Sequence, residues 1–98
     1  MEKVAQLLSA IRECIDAGRY LDTRHATDRK AERSITRAEI RYVLKHGHHE
    51  KRKDKFEPRF QAWNYAVRGK TMDARELRVI VSFDENNMLI ITAIDLDL

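Results

Sequence analysis

Apolar residues recur along the chain with two periods, and the switch between them falls near residue 60. Val4, Leu7, Leu8, Ile11 and Ile15 repeat at helical spacing, with Cys14 at the margin of the same stripe. Gly18 follows as a C-terminal stop, so residues 2–17 are expected to form an amphipathic helix covering a sheet. Arg19–Thr23 is a short extended segment. A second helix is expected over residues 24–33. The third has a well-marked start. Thr36 stands as an N-cap with Glu39 three positions on, the spacing of a capping box, while Ile35 and Ile40 fit a hydrophobic staple. Ile40, Val43 and Leu44 then share a core face, and Gly47 ends the helix.

Beyond Gly47 the period changes. Residues 48–57 are densely charged and are expected to form a ragged edge strand or a loop, with Pro58-Arg59 marking a turn. From Phe60 to Arg68 the chain alternates: Trp63, Tyr65 and Val67 on one side, Ala62, Asn64, Ala66 and Arg68 on the other. Gly69–Arg75 reads as a loop. Leu77, Val79, Val81 and Phe83 form one face of the next strand, Arg78, Ile80 and Ser82 the other. Asp84-Glu85-Asn86-Asn87 has the composition of a hairpin turn. Met88–Ile94 is almost wholly apolar, as in a central strand buried on both faces. The tail Asp95-Leu96-Asp97-Leu98 suits an extension of that strand, pairing with a partner, or fraying. Helices first and strands after indicate an α+β fold, with N-terminal helices packed on a three- to four-stranded antiparallel sheet. Ninety-eight residues hold one core, so residues 1–98 are taken as a single domain.

Composition narrows the class. An apolar fraction of 43% is that of a folded protein. No apolar run approaches the roughly 20 residues of a membrane span. Met-Glu-Lys-Val opens a helical pattern rather than a signal peptide, and the single cysteine excludes an internal disulfide. These features lead us to expect a cytoplasmic protein, with Cys14 a packed core thiol. The net charge of +3 hides a strong asymmetry. Residues 24–78 hold sixteen Lys and Arg against eight Asp and Glu, while the rest of the chain holds three against eight. A concentrated positive field of this kind draws polyanions, either nucleic acid or an acidic protein.

Candidate chemistry centres on residues 25–33. On a helix His25, Arg29, Glu32 and Arg33 lie at i, i+4, i+7 and i+8 and share one face. Histidine moves protons near neutral pH, and arginine forks match phosphate oxygens. The same spacing also fits a solvated basic face with an Arg29–Glu32 pair. Arg78 is a charge among Leu77, Val79, Ile80 and Val81, costly there unless paired or exposed at a site. Tyr65 suits stacking on a base or packing in the core; Trp63 suits a core anchor. Lys51, Arg52 and Lys53, with Arg33 and Arg68, form the expected electrostatic footprint for such a polyanion, which the resemblance described below makes RNA. His46, His48 and His49 have no cysteine near them and no HExxH spacing, so no metal is expected. Neither a glycine-rich phosphate loop nor a dinucleotide fingerprint occurs, so no cofactor is expected.

The segment from His25-Ala26 through Arg29, Glu32-Arg33-Ser34-Ile35-Thr36, Glu39-Ile40, Val43-Leu44 and Gly47, then Tyr65, Leu77-Arg78-Val79-Ile80-Val81 and Ile90-Ile91-Thr92-Ala93, resembles a small bacterial domain of unknown function. That domain is grouped with the RelE-like and BrnT-like toxins. The chain departs from its pattern at Lys30, where methionine is frequent, and at Ser34, where glycine is usual. The resemblance implies a RelE/BrnT-like fold and a toxin of a toxin–antitoxin pair. It implies metal-independent cleavage of RNA, including ribosome-associated mRNA, by 2′-OH attack on the adjacent phosphate. In that chemistry His25 is the base or acid, Arg29 and Arg78 hold the phosphate, and Tyr65 positions a base or donates a proton. A cognate antitoxin is the implied protein partner. The alternatives are a non-catalytic basic module that binds RNA, a ribosome or a protein, and a ParE-like toxin directed at gyrase.

Overall fold

A computed structural model of the chain describes residues 2–24 and 34–97. Among these the helices are α1 (Leu7–Ala17) and α2 (Arg37–His46), with a single 3₁₀ turn at Lys51–Lys53. The strands are β1 (Tyr20–Asp22), β2 (His48–His49), β3 (Lys55–Glu57), β4 (Ala62–Lys70), β5 (Glu76–Phe83) and β6 (Met88–Asp95). The class is α+β, as the order of periods implies. The helix expected over residues 24–33 lies outside the described residues, apart from Arg24.

Strand order is β1-β6-β5-β4-β2, with β3 also paired to β4. The three long strands are antiparallel neighbours. The expected sheet of three or four antiparallel strands is corrected in two respects: six strands take part, and β1 runs parallel to β6, Tyr20 opposite Met88 and Asp22 opposite Ile90. Strands of two or three residues span barely one period of alternation, so their pattern is silent in the sequence.

Both helix ends are set by local chemistry. Before α1, Gln6 adopts a left-handed conformation (φ 52°), so the helix starts at Leu7 rather than at residue 2. It stops at Gly18 (φ 71°), where the N–H groups of Gly18 and Arg19 return to the carbonyls of Ile15 and Cys14. At the start of α2, Thr36 Oγ1 accepts the Glu39 N–H at 3.1 Å and Glu39 Oε1 accepts the Thr36 N–H at 2.9 Å. Ile35 and Ile40 are both buried beside it, as the staple requires. Gly47 ends α2 with an ordinary φ of −80°. Its glycine requirement is one of space: a Cβ there would lie 2.6 Å from the carbonyl oxygens of both Val43 and Arg68.

Leu7, Ile11 and Cys14 of α1 and Ile40, Val43 and Leu44 of α2 share one core with Tyr65, Val67, Leu77, Val79, Val81, Met88 and Ile90. The alternation expected for β4 and β5 therefore holds, and Trp63 and Phe83 pack at the margin of the core. β6 is central, between β1 and β5, but it is not buried on both faces. Ile94 is 39% exposed, and Leu21 of β1, facing the same way as Leu89, is 53% exposed. The unbroken apolar run reflects a bulge. Val81 pairs with Ile90 but Ile80 pairs with Thr92, so Ile91 is an extra residue, and the inward positions pass from Met88 and Ile90 to Ala93 and Asp95.

The turn at 84–87 is as expected, with Asp84 Oδ1 accepting the Asn86 and Asn87 N–H groups. The tail extends the β5–β6 pairing: Leu96 donates to the Glu76 carbonyl, and Asp97 accepts the Glu76 N–H. No helix among the described residues is long and apolar enough to cross a membrane.

Gly47→Ala should lower stability by about 2–3 kcal/mol, because helix and strand backbones must separate to admit the methyl. Urea unfolding will read this as a lower midpoint with an unchanged slope. Gly18→Ala, which meets only its positive φ and no neighbouring atom, should cost roughly 1 kcal/mol.

Candidate nucleic-acid interface

The β4–β5 register sets Arg68 directly opposite Arg78. Their neighbours Val67, Leu77 and Val79 point into the core, so alternation carries both arginines to the outer face of the sheet. Two guanidiniums side by side repel, and like charges opposite each other destabilise a sheet. Glu50, which follows β2, resolves this. Its N–H donates to the Ala66 carbonyl at 2.8 Å, which fixes it beside β4. Its carboxylate accepts Arg78 Nε at 2.6 Å and Arg78 Nη2 at 3.2 Å, and then Arg68 Nη1 at 3.3 Å. Arg68 Nε donates to Glu76 at 2.9 Å. Glu50 is only 7% exposed. The hydrogen bonds from Arg78, then the one from Arg68, hold its carboxyl down at about 2.

A cleft of about 320 Å³ opens beside this cluster, lined by Lys53, Lys55, Asn64, Arg78, Ile80 and Ile94. Three cations and an amide thus surround an apolar floor. Lys53 comes from the 3₁₀ turn, which also exposes Lys51 and Arg52. The only acid in the run 51–55 is Asp54, and it is turned inward. Its side chain is almost fully covered, pairs with Lys3 at 3.0 Å and His49 at 2.8 Å, and accepts the Ala66 N–H at 3.0 Å. The surface of this run is therefore more basic than its composition.

The expected site residues do not all meet. His25, Arg29 and Arg33 lie outside the described residues. Arg78 and Lys53 line the cleft, with Lys51 and Arg52 on the same turn as Lys53. Arg68 belongs to the Glu50–Glu76 pairs. The structure does not bring Tyr65 to Arg78: Tyr65 is on the core face, 3% exposed, with its hydroxyl accepting the Val4 N–H at 2.7 Å. His46 packs on Tyr42. Among the described residues no three His, Cys, Asp or Glu side chains cluster as metal ligands do.

Glu50, Lys55 and Asn64 escaped the sequence reading. The signal for Glu50 was indirect: an arginine in an apolar strand needs a carboxylate, but only the strand register says which one. Two further arginines brace the start of α2. Arg24 grips Asp22 and donates to the Ile35 carbonyl at 3.1 Å. Arg75 links Asp95, Glu39 and the Ser34 carbonyl at 3.1, 2.9 and 3.4 Å.

The family model for DUF4258, a domain of unknown function, matches residues 23–95. The chain belongs to this family. The DUF4258 match takes in every residue that lines the cleft, together with Glu50, and leaves α1 outside it. It carries no link to RelE-like or BrnT-like toxins. Comparison with curated proteins gave no match, and neither did comparison with solved structures.

Because the folded-state pKa of Glu50 lies below its ordinary 4.5, its contribution to stability is present above about pH 4.5 and is lost as pH falls towards 2. Glu50→Gln should cost on the order of 2 kcal/mol at pH 7, after allowance for solvent screening. The difference from wild type should shrink as pH falls below about 4.5 and vanish only below about 2, as measured by urea unfolding across that range.

Proposed function

We propose that this DUF4258 protein binds RNA through the phosphate backbone, in the cationic cleft on the outer face of its sheet. The observation that carries this reading is the convergence of Lys53, Lys55 and Arg78 with Asn64 on one concave surface, flanked by Lys51 and Arg52. Lysine and arginine contacts to phosphate supply affinity without reading sequence. Among the described residues the lining holds no aromatic side chain, so the reading rests on phosphate contacts rather than base stacking. Fluorescence anisotropy with a 20-nucleotide single-stranded RNA tests it. The Lys53→Glu/Lys55→Glu double variant should bind at least tenfold more weakly. Its plot of log affinity against log salt should be shallower by roughly 1.4, the loss of two phosphate contacts on a single strand. Unchanged affinity would remove the cleft from the interface.

A second reading adds cleavage, as a toxin of a toxin–antitoxin pair acting on ribosome-associated mRNA in the cytoplasm. What favours it is the bracing around residues 25–33: Arg24 and Arg75 tie the flanking Ile35 and Ser34 to β1 and β6. Attack by a 2′-OH needs a base, an acid and cations for the developing charge. On this reading, as the family resemblance implies, proton transfer belongs to His25, with Arg29 and Arg78 as phosphate ligands. Tyr65, on the other face, drops out. In EDTA, wild type should cut RNA and His25→Ala should be slower by at least about 100-fold. Intact RNA with wild type ends the nuclease reading and leaves RNA binding standing. On induction in a bacterial host, transcripts should be cut; DNA damage with intact transcripts would point instead to gyrase.

A further inference from the structure

We propose that Glu50 is a built-in competitor for phosphate, setting the cleft to take extended phosphodiester chains and to refuse single phosphate ions. The inference rests on the RNA-binding reading of this cleft. Carboxylate and phosphate engage a guanidinium in the same bidentate manner. Glu50 already occupies two of the three nitrogens of Arg78, leaving Nη1 with no hydrogen bond among the described residues. It also takes one nitrogen of Arg68, while Glu76 takes another.

The four charges at this point, two arginines and two glutamates, cancel. Arg78 therefore offers a donor in a fixed place but little net charge. The uncompensated charge of the interface resides in Lys51, Arg52, Lys53 and Lys55, with Lys53 and Lys55 as the cleft's own. A lone phosphate at Arg78 must compete with a carboxylate that already holds the guanidinium, with only the cleft's two lysines to draw on. A phosphodiester chain spans from Arg78 to those lysines and gains from each. Length, rather than the phosphate group alone, becomes the recognised property.

Glu50→Gln preserves the shape of the side chain and removes its charge. It should bind the 20-nucleotide RNA about five- to tenfold more tightly at low salt, the effect of deleting one charge some 7 Å from a phosphate at an intermediate dielectric. Its salt plot should steepen by roughly 0.7, because Arg78 then neutralises a phosphate of its own. Inorganic phosphate, titrated by NMR at millimolar concentration, should shift the signals of the variant and leave wild type unmoved. A purely structural Glu50 would lower stability but alter neither the salt plot nor the phosphate response, and that result overturns the inference. Should Glu50→Gln fail to fold, Glu76→Gln removes the more exposed carboxylate from Arg68 and should tighten RNA binding about twofold; no change there also overturns it. If neither wild type nor variants bind RNA at low salt, the RNA reading itself falls, and this inference with it.

Discussion

One carboxylate lets the sheet carry two adjacent guanidiniums on the face opposite α1 and α2. Without Glu50, Arg68 and Arg78 would stand opposite each other across a β-ladder with only Glu76, on Arg68, to offset them. With it, an arginine in the middle of an apolar strand becomes part of the architecture and still reaches the cleft. The link is also geometric. Glu50 hangs from β4 by its own N–H, so the turn that follows, with Lys53, is held beside the same strand.

The packing of α2 is coupled to that arrangement. Gly47 brings the end of the helix against the backbone of β4 at Arg68, and the next residue, His48, pairs with Arg68 in the sheet. Only after that pairing does the chain reach Glu50. The helix end, the edge strand and the ion-pair cluster thus form one continuous piece of chain whose spacing leaves little slack. At the other end of α2, Arg75 joins the capping box to β6 through Glu39 and Asp95. The Thr36 N–H and this guanidinium together lower the Glu39 carboxyl from its ordinary value.

Much of the fold was legible because it rests on local rules. The capping box, the staple, the stop at Gly18, and the inward faces of β4 and β5 each depend on residues a few positions apart. What the sequence hid is relational. The parallel pairing of β1 with β6 joins segments 68 residues apart through three residues. Tyr65 and Arg78 looked like partners because both were conspicuous in strands, yet alternation sends them to opposite faces once the register is known. The run at 48–57 read as a charged edge strand or loop, and its charges gave no sign that Glu50 and Asp54 turn inward and leave the lysines outside.

The extra residue at Ile91 has a consequence for the evolution of chain length. Gaining or losing one position inside a strand ordinarily turns every later side chain inside out. Here the ladder on either side of the bulge is already in phase, Val81 with Ile90 and Ile80 with Thr92. Excising Ile91 would leave Asp95 facing Arg75 and Ala93 facing the interior. This point in the central strand is where the domain can absorb a one-codon deletion while keeping its faces intact.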